Sequence, residues 1–447
     1  SLCDCEAICT CGEATFLIKT KGGNMQIIEN SKIKEKAYVE KLVNGLTVIL
    51  VPKENTNKKS VIYGVKYGSI DHKFIDPNTK ELKEVPDGVA HFLEHKMFEQ
   101  ENGTNSLDVL SSLGVDANAY TTNDHTAYLI NATNHFEEAF DELLDYVQHP
   151  YFTKDNVEKE KGIIGQEIMM YEDDASSKVY LNLLKCLYEV NPVNIDIAGT
   201  VESIQKIDEN ILYDCYHTFY HPSNMALVVC GNFNPIELLE KIKEKIISKP
   251  TQREIKRIYP EEKETVFQDK IEEKMNVSNP IFVIGIKDRP VPAKEKIVKT
   301  IVIEILLQIL LGSSSELYQE LYEKGEILSD ISFDYEFSDE YSHIMMAGQS
   351  KDPIKILEKL QNQIEKIKQS KIDETYFKRI KKKIYGGYIT DYNSTENIAR
   401  IFLTDYFQGI NSFEYLEAFS IITKEMAEEY LNEIFKKENM AISIIRP

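Results

Sequence analysis

From Met25 onward the chain sorts into blocks whose apolar period changes. Lys41 to Pro52 (KLVNGLTVILVP) sets two apolar runs either side of Asn44-Gly45, which predicts a hairpin with a tight turn. Val61 to Gly68 reads as a further strand. The period then lengthens, and apolar residues recurring three and four apart predict helices at about 87–101, 105–113, 134–148 and 154–172. A strand near 118–131 lies between them. The longest apolar run, TIVIEILLQILL around 300–311, contains Glu304 and Gln308; it falls short of a membrane span and predicts a buried helix.

The pattern then repeats. SNMALVVCGNF at 223–233 closes one unit and ENMAISIIRP at 438–447 closes another, so that Asn224-Met225-Ala226 is echoed by Asn439-Met440-Ala441. HTAYLINATNHFEEAF corresponds to YSHIMMAGQSKDPIKIL as strand, turn and helix, and FTKDNVEKEKGIIGQEI corresponds to IDETYFKRIKKKIYGGYI. The expected organisation is a Cys-rich segment at 1–24, a first domain at 25–245, a charged linker at 246–266 and a homologous second domain at 267–447. Runs of two strands followed by several helices favour an α+β fold, each domain a mostly antiparallel sheet packed by helices on one face.

Composition narrows the partners. At 447 residues, 42% apolar and 28% charged, the chain has ample core for two or three soluble domains. A net charge of −21 argues against nucleic acid and anionic membrane and favours cationic or neutral ligands. No signal peptide is visible after Ser1, so a cytoplasmic location is expected. Cys186, Cys215 and Cys230 stand singly in apolar surroundings and read as buried thiols. Cys3, Cys5, Cys9 and Cys11 crowd together, but their C-x-C-x3-C-x-C spacing lacks the CxxC pairs of zinc ribbons.

The candidate chemistry begins at HFLEHKMFE, residues 91–99. Asp87 can cap a helix on which His91 and His95 lie one turn apart, so both rings leave one face and can chelate a divalent ion. Glu94 stands beside them, where a carboxylate suits a general base acting on metal-activated water. H-x-x-E-H is an inverted zinc motif. A hydrolytic zinc wants three protein ligands and an open position, which makes a third ligand a requirement on this sequence. Glu160 and Glu167, seven apart in VEKEKGIIGQEIMMYEDD and so on one helical face, answer it. One can bind metal while the other orients a ligand.

Together these features resemble the pitrilysin or insulinase family of zinc metallopeptidases over nearly all of Met25 to Pro447. The resemblance of GVAHFLEHKMFE to the family's zinc helix implies His91 and His95 as Zn2+ ligands and Glu94 as catalytic base. That of VEKEKGIIGQE to the distal ligand helix implies Glu167 as third ligand and Glu160 as its supporting carboxylate. GVDANAYTTNDHTAYL (114–129) resembles the substrate-edge strand, implying that Asn118, Ala119 and Tyr120 pair with an extended peptide. The family usually offers an arginine and a tyrosine from its second half to steady the scissile carbonyl. Here Tyr322 stands where the arginine would fall, no tyrosine occurs near Leu328–Asp330, and Ile380 and Gly387 stand opposite Glu160 and Glu167. The chain therefore resembles the zinc-carrying half of a paired, clamshell protease whose homologous metal-free subunit supplies the missing pair. The implied activity is endopeptidase processing of enclosed peptides, with a peptide-binding or scaffolding subunit as the alternative. Residues 1–24, with a non-Met start and Gly22-Gly23 before Met25, are expected to be a fused substrate-like peptide or a tag-like extension.

Overall fold

The computed structural model describes residues 6–10, 13–20, 23–247 and 254–447. They divide into two compact units. The first gathers Ser1–Gly165, Ile197–Ile258 and Ile389–Phe413, and the second Gln166–Asp196, Tyr259–Tyr388 and Glu414–Pro447.

In the first unit β1 (Glu6–Thr10), β2 (Glu13–Thr20), β3 (Gly23–Asn30), β4 (Glu35–Lys41) and β5 (Thr47–Pro52) form an antiparallel meander. The expected hairpin is its last turn, where Gly45 adopts φ +95° and Lys41 pairs with Thr47. β6 (Lys59–Val65) is an interior strand of the sheet; β7 (Lys73–Ile75) and β8 (Leu82–Glu84) belong to a small separate sheet. The strand expected near 118–131 is a hairpin of β9 (Asp116–Thr121) and β10 (Thr126–Ala132), because Thr122 and His125 close a polar turn between them. β11 (Met225–Gly231) pairs parallel with β5 and antiparallel with β6, giving the order β1-β2-β3-β4-β5-β11-β6-β10-β9. Thus β1 and β2, from the Cys-rich segment, extend the first domain's sheet at the edge opposite β9. They do not lie along β9 as a docked peptide; residues 1–5, 11, 12, 21 and 22 lie outside the described residues.

Helices α1 (Val89–Lys96), α2 (Ser106–Ser112), α3 (Phe136–Gln148) and α7 (Glu209–Phe219) cover the sheet face that carries Tyr63 and Tyr128. Around them run α4 (Lys154–Asp173), the short α6 (Val201–Ile204) and α8 (Pro235–Lys245), the last against β5. The opposite face receives one further helix from late in the chain, α13 (Thr395–Phe407), against β11 and β6. Neighbouring strand residues point to opposite faces, so Gly64 faces away from Tyr63 and toward α13. A Cβ on Gly64 would meet Leu403 Cδ1 at 2.5 Å. The helix therefore seats directly on the backbone of a central strand. Thr47 Oγ1 and Tyr406 Oη, 2.7 Å apart, and Lys66 Nζ, which donates to the Phe407 carbonyl at 3.0 Å, fix its register.

Described residues of the expected linker pair with each unit in turn. β12 (Lys256–Arg257) pairs with β7, and Arg257 Nε reaches the buried Asp71 at 3.0 Å. Past the division at 258/259, the Glu262 carboxylate accepts the backbone N–H groups of Val190 and Asn191, both at 2.8 Å, and an ion pair from Lys287 at 2.9 Å.

The second unit repeats the sheet. β13 (Lys270–Lys274), β14 (Ile281–Asp288), β15 (Ser332–Phe337), β16 (Ser342–Gln349) and β17 (Met440–Arg446) take the order β13-β17-β14-β16-β15. That order matches β5-β11-β6-β10-β9 strand for strand, including the single parallel pair. The predicted buried helix is α9 (Ala293–Leu311), long and apolar enough to cross a membrane yet largely buried inside this unit. Helices α10 (Glu316–Glu323), α11 (Pro353–Ser370), α12 (Glu374–Asp391), α14 (Glu414–Ala418) and α15 (Lys424–Ile434) complete it together with α5 (Ala175–Leu187). α5 comes from the first half of the chain and packs on β14 and β17, where a Cβ on Gly285 would meet Leu183 Cδ1 at 2.8 Å. Each unit is thus finished by a helix from the other half of the sequence.

Gly64→Val is expected to destabilise the fold by about 1–3 kcal/mol through overpacking against Leu403, read as a lower denaturant midpoint. On α13, burial raises the Asp405 carboxyl from 3.8 to about 7. The folded chain then keeps a proton that the unfolded chain releases, so this group's contribution to stability declines as pH rises from 3.8 to about 7. Asp405→Asn is expected to flatten that part of the profile of unfolding free energy against pH.

Candidate metal centre

The segment GVAHFLEHK folds as a helix because its buried positions, Val89, Phe92, Leu93 and Lys96, recur at helical spacing. Its first residue is not capped by Asp87 as expected. The N-cap is Gly88 in the left-handed region at φ 90°, with no side-chain cap, and the helix is the short Val89–Lys96 rather than 87–101. A Cβ on Gly88 would lie 2.3 Å from the Ala198 carbonyl oxygen, so only glycine lets the two backbones meet. Asp87 contributes its carbonyl instead, which accepts from Ser203 Oγ at 2.8 Å. The helix entry is therefore pinned by backbone packing.

On this helix His91 and His95 are both half-buried, with ring centroids 4.5 Å apart. Glu167 of α4 joins them: the three residues offer ligand atoms that all lie within 4.8 Å of one another. Two imidazoles and one carboxylate are a donor set that zinc takes in hydrolases, so the residues fit the metal. Burial, and the neighbouring His95, push the His91 ring down to about 3, which keeps it neutral and its nitrogen available to a cation. Glu160 stands one layer behind. Its Oε1 lies 3.1 Å from His95 Nδ1, which leaves the other ring nitrogen, Nε2, for a metal, and its Oε2 lies 3.4 Å from Lys96 Nζ. Burial alone would raise the Glu160 carboxyl; the His95 hydrogen bond and the Lys96 charge outweigh it and hold the group below the ordinary glutamate value.

Glu94 is buried at 6% exposure, and Thr121 Oγ1 donates to its Oε2 at 2.8 Å. That bond ties the expected base to the end of β9, the strand expected to bind peptide. Among the described residues β9 is the edge of the sheet and pairs with β10 alone. Asn118, Ala119 and Tyr120 therefore lie on an edge, where the Ala119 N–H is covered by its neighbour's Asn118 Oδ1 at 2.9 Å. Tyr120 points away from α1 and lies under the Arg400 guanidinium of α13, 4.9 Å from the ring centroid. Arg400 also pairs with Glu396 at 3.2 Å.

The sequence reading missed Thr121, Lys96 and Arg400. Thr121 and Arg400 leave no local signal, since tertiary packing brings them in. Lys96 leaves one, because a lysine on the apolar stripe of a helix demands partners. In the second unit the counterpart positions hold no ligands: Ile380 is buried and Gly387 is exposed. Tyr322 is 66% exposed, and near it Tyr318 Oη donates to Asp330 at 2.6 Å.

The family model described as insulinase (peptidase family M16) matches residues 81–201, and that of the peptidase M16 inactive domain matches 206–384. An uncharacterized zinc protease of Bacillus subtilis, YmfH, is 38% identical over 424 residues, 94% of this chain and 99% of that relative. The chain belongs to the insulinase family, peptidase family M16. The beta subunit of the mitochondrial-processing peptidase of Caenorhabditis elegans is 27% identical over 213 residues, 47% of this chain and 44% of its own. The crystal structure of an M16-like peptidase from Alicyclobacillus acidocaldarius aligns at a TM-score of 0.88 and 34% identity, covering 92% of this chain and 98% of the other. Pitrilysin shares the fold at a TM-score of 0.74 and 17% identity, over 96% of this chain and 47% of its own. The M16 relatives are thus named zinc proteases, and this M16 chain brings together a group of three residues suited to that metal.

Zinc affinity measured by competition with a chelator is expected to separate the two glutamates. Glu167→Gln should lose tight zinc binding, whereas Glu160→Gln should retain it, weakened roughly 10- to 100-fold.

Proposed function

We propose that this M16 protein is a zinc endopeptidase that cleaves peptides docked along β9. His91, His95 and Glu167 hold the metal, Glu94 is the general base, and Glu160 orients His95. The observation that supports the reading is the bond from Thr121 to Glu94, which joins the end of the edge strand β9 to a carboxylate on the helix of His91 and His95. A bound zinc supplies Lewis acidity and lowers the pKa of water. The chain's own residues do the rest. An extended peptide adds to β9 through main-chain hydrogen bonds with Asn118, Ala119 and Tyr120. Glu94, held by Thr121, takes the proton of the attacking water and passes it to the departing amine. Glu94 itself is only 6% exposed, which keeps bulk water off the base.

Tyr322 stands where the resemblance implies an arginine, and no tyrosine occurs near Leu328–Asp330. The reading therefore includes a homologous metal-free subunit that closes over the site and provides the pair. Exposed Tyr322 in the arginine position supports it.

Glu94→Gln is expected to lower kcat by about 10²–10⁴-fold with zinc content unchanged; wild-type turnover in that variant excludes the mechanism. The purified single chain at low concentration should be nearly inactive on peptides and should gain activity on adding the homologous metal-free chain. Full activity from the single chain removes the partner from the proposal.

A further inference from the structure

Lys96 sits where α1 turns its apolar stripe into the core, next to Val89, Phe92 and Leu93, and is 0% exposed. Packing alone does not call for a cation there, since a methionine fills the same volume. A buried ammonium is costly unless paired, and its pairing is specific. Nζ lies 2.8 Å from Glu99 and 3.4 Å from Glu160 Oε2. The other oxygen of the same Glu160 carboxylate lies 3.1 Å from His95 Nδ1. One carboxylate is thus held at both ends, by a ring nitrogen and by a lysine that has no route to solvent.

We infer that Lys96 is a positioning residue of the metal centre, acting through Glu160 to fix the orientation and tautomer of His95. A carboxylate bound only through its bond to His95 rotates about its own axis. Anchoring the second oxygen sets the plane of the carboxylate and hence the direction from which Oε1 accepts the Nδ1–H. With the proton held at Nδ1, the lone pair at Nε2 faces the other two donors. Glu99 pairs with the same ammonium at 2.8 Å and supplies its second negative partner. The inference rests on the metal reading above and adds a residue to it.

The test uses the full chain with Lys96→Met, Glu99→Gln, Glu160→Gln and the Lys96→Met/Glu160→Gln pair. Three quantities are read: zinc affinity against a chelator, the 15N shifts of the His95 ring in the metal-free protein, and thermal unfolding of that form. Lys96→Met is expected to weaken zinc roughly 10- to 100-fold and to shift His95 toward a mixture of tautomers. Glu99→Gln should leave zinc affinity within about twofold. The paired variant should bind no worse than Glu160→Gln alone, because the lysine acts through that carboxylate. Wild-type affinity in Lys96→Met, additive losses in the paired variant, or an equal loss in Glu99→Gln each overturns the inference. Should Lys96→Met unfold, the Glu99→Gln comparison and the His95 shifts of Glu160→Gln decide it: an unchanged tautomer in the latter overturns it. A wild-type chain that binds no zinc overturns the functional reading as well, whereas a zinc-binding wild type with an unaffected Lys96→Met overturns this inference alone.

Discussion

Eight residues of α1 must satisfy two demands that compete for one surface. The helix has to bury a stripe deep enough to fasten it to β9, β10 and α7, and it has to turn His91 and His95 toward α4. An eight-residue helix has only marginal intrinsic stability, so tertiary packing must supply what propensity does not. It does so at both ends: Gly88 presses its backbone on Ala198, and Lys96 is clasped by Glu99 and Glu160. Burying Glu94, Lys96 and Glu160 together is tolerable only because each charged group has a named partner. The same partners that make the burial affordable also aim the side chains. Stability and geometry at this centre are therefore one set of hydrogen bonds.

The duplication gave both halves the same sheet but only one of them the donors. β9 and β15 share an edge position and even a burial pattern, yet α4 carries Glu160 and Glu167 where α12 carries Ile380 and Gly387. The exchanged helices follow a common rule in both halves. A glycine on the central strand, Gly64 or Gly285, removes the side chain that would hold a helix off, and a leucine fills the space. Shape at one residue decides where a whole helix rests.

Much of this was legible in the sequence because the strongest signals are local. The helices at 105–113, 134–148 and 154–172 appear as Ser106–Ser112, Phe136–Gln148 and Lys154–Asp173, the apolar period being clearest in the second. The metal group was legible because ligand spacing within a helix is fixed by its pitch, and Glu167 followed from the need for a third donor. The helical period says that a helix buries one face, but not which sheet receives it, so the exchange of α5 and α13 left no trace. Arg400 came with α13 and was hidden with it, and Thr121 was hidden because only tertiary packing brings β9 to Glu94. The β9–β10 turn was masked by a polar stretch, Thr122 to His125, that breaks no periodicity.

The exchange has a consequence for how the molecule is made. A ribosome releases the N-terminal part of a protein first, and a self-contained domain there can finish before the rest exists. Here the face of Gly64 stays bare until Thr395–Phe407 has been synthesised. A product cut short at the linker would carry His91, His95 and Glu167 and still lack the helix that covers the far face of the sheet. The candidate centre is written early in the message, and the sheet that carries it is covered on its second face almost last.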